Sequence, residues 1–161
     1  MKLWVFSDTH RNLSLARRVL LDAQPGDLLV HGGDYYGDGI TLAAEAGLKV
    51  VAVRGNCDWW GGGGPEEEVW EAAGVRILLT HGHQQRVKEG WEQLRHRALQ
   101  VRAGLVIFGH THIPLNQPEG GVHLFNPGSI SRQRAGKCGT YGVIFLQSGY
   151  IDAHIMQVSE Q

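Results

Sequence analysis

Lys2-Leu3-Trp4-Val5-Phe6-Ser7-Asp8-Thr9-His10 opens the chain with an apolar run that stops at two polar side chains, Asp8 and His10, spaced two apart. The same kind of junction recurs four times. Leu28-Leu29-Val30 runs into Gly32-Gly33-Asp34, and Val50-Val51-Ala52-Val53 into Gly55-Asn56-Cys57-Asp58. Ile77-Leu78-Leu79 runs into His81-Gly82-His83, and Leu105-Val106-Ile107-Phe108 into Gly109-His110-Thr111-His112. Short apolar runs of this kind fit buried strands. Open α/β sheets bind ligands just beyond the carboxyl ends of their strands. Five strand ends therefore bring Asp, Asn and His side chains to one place.

Working outward, the sequence predicts strands over residues 2–7, 27–31, 49–53, 75–80 and 105–108. A helix is expected from Asn12 as cap to about residue 23, with Leu13, Ala16, Leu20 and Ala23 on one face. A short helix is expected over about 40–46, ended by Gly47. Gly61 to Gly64 reads as a flexible loop. Pro65 followed by Glu66-Glu67-Glu68 predicts a third helix that Gly74 stops, since Pro suits the first helical position and acidic groups complement the positive helix end. The longest helix is expected over 87–102, where Val87, Trp91, Leu94, Ala98 and Val101 follow the helical period. Beyond His112 the pattern changes to strands over 122–125, 141–146 and 151–158, with Ser148-Gly149 as a tight hairpin turn. The whole, residues 1–161, reads as one α/β domain, with βα units first and mainly antiparallel strands after them.

Composition narrows the function classes. A formal net charge of -1 gives no bulk attraction to nucleic acid or to a membrane surface. No apolar stretch approaches the ~20 residues of a spanning helix, and the N-terminus lacks the long apolar core of a secretory signal. The two cysteines, Cys57 and Cys138, make no disulfide framework, and free thiols are expected in a cytoplasmic protein.

Side chains two apart on a strand share a face, so Asp8 and His10 can reach one ion, as can His110 and His112. A turn at the strand end would instead splay each pair towards neighbouring ions. Asp34 can bridge two cations through its two oxygens, Asn56 supplies an amide oxygen, and His81 adds an imidazole. Two carboxylates, one amide and four imidazoles suit Mn, Fe, Co, Ni or Zn rather than a thiolate-rich zinc site. Seven ligands exceed what one ion takes from protein alone and suit two ions about 3.5–4 Å apart.

The ordered blocks Asp8-Thr9-His10, Gly33-Asp34, Gly55-Asn56-Cys57-Asp58, His81-Gly82 and Gly109-His110-Thr111-His112 resemble those of the calcineurin-like metallophosphoesterase superfamily. Asn126-Pro127-Gly128-Ser129 is similar to a segment of its small prokaryotic phosphodiesterases. The resemblance implies a four-layered α/β/β/α sandwich, two mixed sheets flanked by helices. It implies one metal on Asp8, His10, Asp34 and His112, and a second on Asp34, Asn56, His81 and His110, with Asp34 bridging. It also implies Mn as the first choice of metal, often Ni or Co, a small phosphate-ester substrate, and allows a homodimer. The implied reaction is hydrolysis of a phosphodiester by water or hydroxide made nucleophilic between the ions, with Asn56 also able to touch the phosphoryl group. A phosphomonoesterase on the same site, or a non-catalytic protein-binding scaffold like the superfamily's retromer subunit, are the alternatives.

One position departs from much of the superfamily. Cys57 follows Asn56 where many members have a His that assists the leaving group, although the small prokaryotic branch often has Cys. A thiol is a poor proton donor to an alkoxide, so activated substrates such as aryl diesters are expected; a buried apolar filler is the other reading of Cys57. Arg11 is placed either against a substrate phosphate or on the solvated surface, and Arg54 and Arg132 carry the same two readings. Trp59 and Trp60 wall the substrate cleft or form a mobile lid on one reading, and pack into the core or a subunit contact on the other. His83 can support the site from behind, whereas His31, His96, His123 and His154 match no ligand position.

Overall fold

The computed structural model describes residues 1–59, 63–131 and 138–159. Trp60, Gly61, Gly62 and Arg132 lie outside the described residues. Chain order is β1 (Lys2–Phe6), α1 (Ser14–Val19) with a 3-10 turn (Leu20–Asp22), β2 (Leu28–His31), α2 (Tyr36–Ala46), β3 (Lys49–Ala52), β4 (Glu67–Ala72), β5 (Val75–Thr80), α3 (Glu92–Gln100), β6 (Leu105–Ile107), β7 (Leu115–Glu119), β8 (Val122–Asn126), β9 (Cys138–Gln147) and β10 (Tyr150–Ser159).

The strands form two five-stranded mixed sheets, ordered β10-β9-β1-β2-β3 and β4-β5-β6-β8-β7. The period of two along each strand sorts the apolar side chains into layers. Leu3, Val5 and Val30 of the first sheet meet Ile77, Leu79, Leu105, Ile107 and Phe125 of the second. The alternate residues Trp4, Phe6 and Leu29 face the other way, onto Leu15 and Ala16 of α1 and Leu42 of α2. Leu78, Val106 and Leu124 cover α3 through Leu94 and Ala98. The result is the expected four-layered α/β/β/α sandwich. Among the described residues, no helix is long and apolar enough to cross a membrane.

Parallel pairing aligns the strand ends. Phe6 pairs with His31, and His31 with Ala52, so β1, β2 and β3 finish level. Leu79, Ile107 and Phe125 do the same for β5, β6 and β8. The motif-bearing loops leave from these ends.

Several boundaries differ from the sequence reading, each for a local reason. The helix expected from Pro65 to Gly74 is instead β4, antiparallel to β5. Val69 packs towards the α3 side while Trp70 packs between the sheets, an alternation that a strand satisfies and a helix does not. Ala73 and Gly74, at φ 48° and 80°, supply the tight reversal, and Glu67 and Glu68 lie on the strand with Glu66 just before it. The helix expected over 87–102 is shorter, because the chain before Glu92 is turned and Gly90 adopts φ 156°. The first helix gives way to a 3-10 turn after Val19, and Asn12 lies one residue ahead of the N-cap, Leu13, with its Oδ1 accepting the Ser14 hydroxyl at 2.8 Å and the Ser14 N–H at 3.4 Å. Helix α2 begins earlier than expected, since Gly37 and Gly39 conceal its first turn; a Cβ at Gly39 would meet His31 Cβ at 2.7 Å. Strand β7 contains Pro118 and lies at a sheet edge, where Pro is tolerated. The expected Ser148-Gly149 hairpin turn is present, at φ 48° and 84°.

Candidate metal centre

The two sheets meet at Gly109. A Cβ there would collide with Ser7 Oγ and come within 2.8 Å of Asp8 Oδ2, so only Gly lets the loop after β6 lie against the loop after β1. Hydrogen bonds then stitch the strand ends: Asp8 N–H to the Gly33 carbonyl at 3.0 Å, and Gly109 N–H to the His81 carbonyl at 3.2 Å. Asp8, His10, Asp34, His110 and His112 all adopt positive φ, between 47° and 68°. Left-handed backbone at non-Gly residues is uncommon and concentrates at functional sites. The side chains therefore converge through tight turns, and not through regular strand alternation.

On one side, Asp8, His10, Asp34 and His112 each place a ligand atom within 4.8 Å of the others. His112 Nε2 lies 3.0 Å from Asp8 Oδ1 and 3.3 Å from His10 Nε2, and His10 Nε2 lies 3.9 Å from Asp34 Oδ2. Asp8 Oδ1 is buried, with His112 Nε2 beside it at 3.0 Å. A buried carboxylate oxygen needs a cation or a donor within reach, and this one faces the other ligand atoms of the group. Burial alone would raise the Asp8 pKa, but His112, His81 and Ser7 around it outweigh burial and hold the carboxyl below the usual carboxylate range.

On the other side, His81 Nδ1 donates to the Gly32 carbonyl at 2.7 Å. In the neutral ring this leaves Nε2 as a lone pair, 3.1 Å from Asn56 Oδ1 and 3.3 Å from Asp34 Oδ1. Three electron-rich atoms face one another there, an arrangement suited to a cation at their centre. Asp34 belongs to both groups, one carboxylate oxygen turned to each. Its Oδ1 also accepts the Cys57 N–H at 2.9 Å.

The two imidazoles of the Gly109-His110-Thr111-His112 turn are splayed. His112 joins Asp8, whereas the His110 ring lies 5.0 Å from that of His81, centre to centre. Burial and the neighbouring His81 push the His110 pKa down to about 4, so the ring is neutral at pH 7. The donor set of both groups is mixed oxygen and nitrogen, which fits Mn, Fe, Co, Ni or Zn. Cys57 is exposed and so is no buried filler; desolvation and the Asp34 carboxylate push its thiol up to about 11. Both cysteines are free. Arg11 is exposed, its guanidinium 5.0 Å from the Tyr35 ring centre, and Tyr35 in turn meets the His10 ring edge-on at 5.6 Å. His83 sits 5.4 Å from the His81 ring and 6.1 Å from that of His110.

The work of several supporting residues was not legible in the sequence, because hydrogen bonding between loops carries no periodic signal. Asp58 Oδ2 accepts the N–H groups of Gly55 (2.7 Å) and Tyr35 (3.1 Å), and its Oδ1 accepts that of Tyr36 (2.9 Å). It thereby ties the Asn56 loop to the Asp34 loop. Ser129 and Ser131 both donate to the Asp8 carbonyl, at 2.8 and 3.0 Å. Asn126 Nδ2 donates to the Gly109 carbonyl at 2.8 Å, which gives the Asn126-Pro127-Gly128-Ser129 segment a structural task. Behind the turn at His10, the buried His31 accepts from Gly33 N–H and contacts Thr9 Oγ1 at 3.2 Å; Thr9 donates to Asp38 at 2.6 Å.

Comparison with known proteins places this geometry. The family profile of the calcineurin-like phosphoesterase superfamily domain matches residues 1–149. Phosphodiesterase YfcE of Escherichia coli K12 is 35% identical over 175 residues, covering 89% of this chain and 87% of YfcE. The crystal structure of a conserved Streptococcus pneumoniae TIGR4 protein, predicted to be a phosphoesterase, superposes with a TM-score of 0.81 at 26% identity, over 97% of this chain and 88% of that one. Vps29 of Entamoeba histolytica, in a complex with Zn, shares the fold at a TM-score of 0.76 and 21% identity, over 98% and 99% of the two chains.

Proposed function

This chain belongs to the calcineurin-like phosphoesterase superfamily, and from that premise we propose that it is a dinuclear metal-dependent phosphodiesterase. Asp8, His10, Asp34 and His112 hold one divalent ion, and Asp34, Asn56, His81 and His110 hold the second, with Asp34 shared. The observation that carries the reading is the division of labour within Asp34: Oδ1 faces His81 at 3.3 Å and Oδ2 faces His10 at 3.9 Å. Mn is the first candidate for both positions, with Ni, Co, Fe or Zn compatible with the same donors.

Divalent ions so held supply Lewis acidity, which lowers the pKa of water and offsets charge developing on phosphoryl oxygens. The protein's own part is to fix the geometry. The Gly32 carbonyl selects the His81 tautomer that keeps Nε2 free of a proton. Ser7, donating to Asp8 Oδ2 at 2.6 Å, orients that carboxylate. Asn56 holds its amide oxygen towards His81 while its Nδ2 faces Cys57 Sγ at 3.6 Å. Arg11, stacked on Tyr35 beside His10, contributes a cation for the substrate phosphate. Because the Cys57 thiol stays protonated yet acidifies poorly, it donates weakly to a departing alkoxide, and activated aryl diesters are the favoured substrates.

The test is metal analysis of the purified protein together with hydrolysis of bis(p-nitrophenyl) phosphate before and after chelation. Chelation should abolish turnover, and Mn should restore it. p-Nitrophenyl phosphate assayed in parallel measures the monoesterase alternative. Bound metal with turnover of neither ester overturns the catalytic reading and leaves the protein-binding scaffold.

A further inference from the structure

A cavity of about 360 Å³ opens beside the Asn56 loop, walled by Arg54, Asn56, Trp59, Glu66, His83 and Gln84. It shares Asn56 with the paired donor groups. A larger, more apolar cavity of about 440 Å³, walled in part by Val87, Trp91, Phe108 and Leu115, includes none of the seven proposed ligands. The two cavities therefore differ in their claim on the reaction.

Trp59 distinguishes the smaller cavity. Its side chain is 81% exposed, while Trp4 is buried at 3%. Single exposed apolar side chains are ordinary on protein surfaces, so it is the place of Trp59 on the wall of a cavity that includes Asn56 that singles it out. The loop that carries it is well anchored up to the preceding residue, since Asp58 accepts three backbone N–H groups. On the wall of the same cavity, Arg54 and Glu66 form an ion pair at 2.5 Å. The wall of the cavity thus combines an aromatic ring with an ion-paired guanidinium and the polar side chains of Asn56, His83 and Gln84.

We propose that this cavity is the leaving-group subsite, and that it accepts a flat aromatic ring which stacks on Trp59. The inference rests on the phosphodiesterase reading above and deepens it by naming the class of ester arm. During hydrolysis the oxygen of water joins phosphorus, the phosphorus–oxygen bond to the aromatic alcohol breaks with its electron pair on the departing oxygen, and the proton that water gives up completes the alcohol, which departs through this chamber. Cys57 discriminates by the acidity of the leaving alcohol; Trp59 discriminates by its shape. The two effects separate when acidity is held constant.

The experiment compares methyl phenyl phosphate with a methyl fluoroalkyl phosphate whose alcohol matches phenol in acidity, using the Mn-loaded full chain. Trp59→Ala should lower the phenyl-to-fluoroalkyl ratio of kcat/KM about two- to tenfold, the size of one aromatic stacking contact, mainly through KM. Trp59→Phe should recover most of the ratio. Titration with non-hydrolysable phenylphosphonate should quench tryptophan fluorescence in the unsubstituted protein and quench it less in Trp59→Phe. An unchanged ratio in Trp59→Ala, or an undiminished quench in Trp59→Phe, overturns the subsite. Failure of the loaded, unsubstituted protein to turn over either diester, with the Trp59-dependent quench intact, overturns the phosphodiesterase reading and supports the aromatic site.

Discussion

His81 donates its Nδ1 proton to the carbonyl of Gly32 at 2.7 Å, a bond that runs from the loop after β5 in one sheet to the loop after β2 in the other. The bond does two things at once. It joins the two sheets at their functional edge, and it turns Nε2 towards Asn56 and Asp34. His81→Ala is expected to lower bound Mn by about one ion per chain and to reduce kcat by more than ~100-fold, since a metal position lost in a two-metal site removes charge stabilisation and positioning together. Elemental analysis and steady-state kinetics on the same preparation check this. Full metal content in the variant would count against His81 as a ligand.

Asp58 is not one of the seven proposed ligands, yet its carboxylate accepts three N–H groups from two loops. Asp58→Ala leaves those donors without their acceptor and should cost about 2–4 kcal/mol in stability. The same change should weaken Mn affinity about 10–100-fold through misplacement of Asp34 and Asn56. Asp58→Asn, which keeps an acceptor oxygen, should fall between. Urea unfolding and Mn titration read the two effects separately; unaltered Mn affinity in Asp58→Ala would show that the clamp does not position the ligands.

His31 is buried, and burial pushes its pKa down from 6.5 to about 4. Its Nδ1 accepts the Gly33 N–H at 3.3 Å, a bond that a protonated ring cannot accept. A depressed histidine pKa means that the unfolded chain takes up the proton first. Its contribution is complete above pH 6.5 and is lost as pH falls from 6.5 towards 4, at up to about 1.4 kcal/mol per pH unit. Chelated protein should therefore show a urea midpoint that declines over this window. His31→Gln should flatten the decline, and an identical slope in the variant would place the titration elsewhere.

A Cys57 thiol raised to about 11 is almost wholly protonated at pH 7. In a Cys138→Ser background, the alkylation rate by iodoacetamide should climb about tenfold per pH unit from pH 7 to 10 without levelling, because only the thiolate reacts. A plateau near pH 8 would contradict the shift. Cys57→His should raise turnover of alkyl diesters more than that of aryl diesters, since imidazole protonates a poor leaving group better. Equal gains for both would argue against a role for Cys57 in leaving-group choice.

The fold was legible where the signal is periodic and local. The runs before Asp8, Asp34, Asn56, His81 and His110 predict five strands, and these five are present as β1, β2, β3, β5 and β6. Residues 65–74 carry two competing signals, an acidic run that suits a helix start and the two-residue alternation of Val69 and Trp70 that decides the packing. Strand β7 contains Pro118, which is tolerable only because the strand lies at an edge. Asp58 and Ser129 stand inside the sequence motifs and Tyr35 does not, but the work of all three is hydrogen bonding or packing across loops, which leaves no repeating pattern.

By itself the sequence determined which chemistry is available and at which strand ends, because the alternation of apolar residues is a property of each strand alone. Only the tertiary structure decided how that chemistry is divided. The two oxygens of Asp34 face different imidazoles, and His110 and His112 part company, because Gly109 allows the two sheets to close and the left-handed turns then aim each side chain. Directions of that kind depend on neighbours distant in the chain, which a local pattern does not carry.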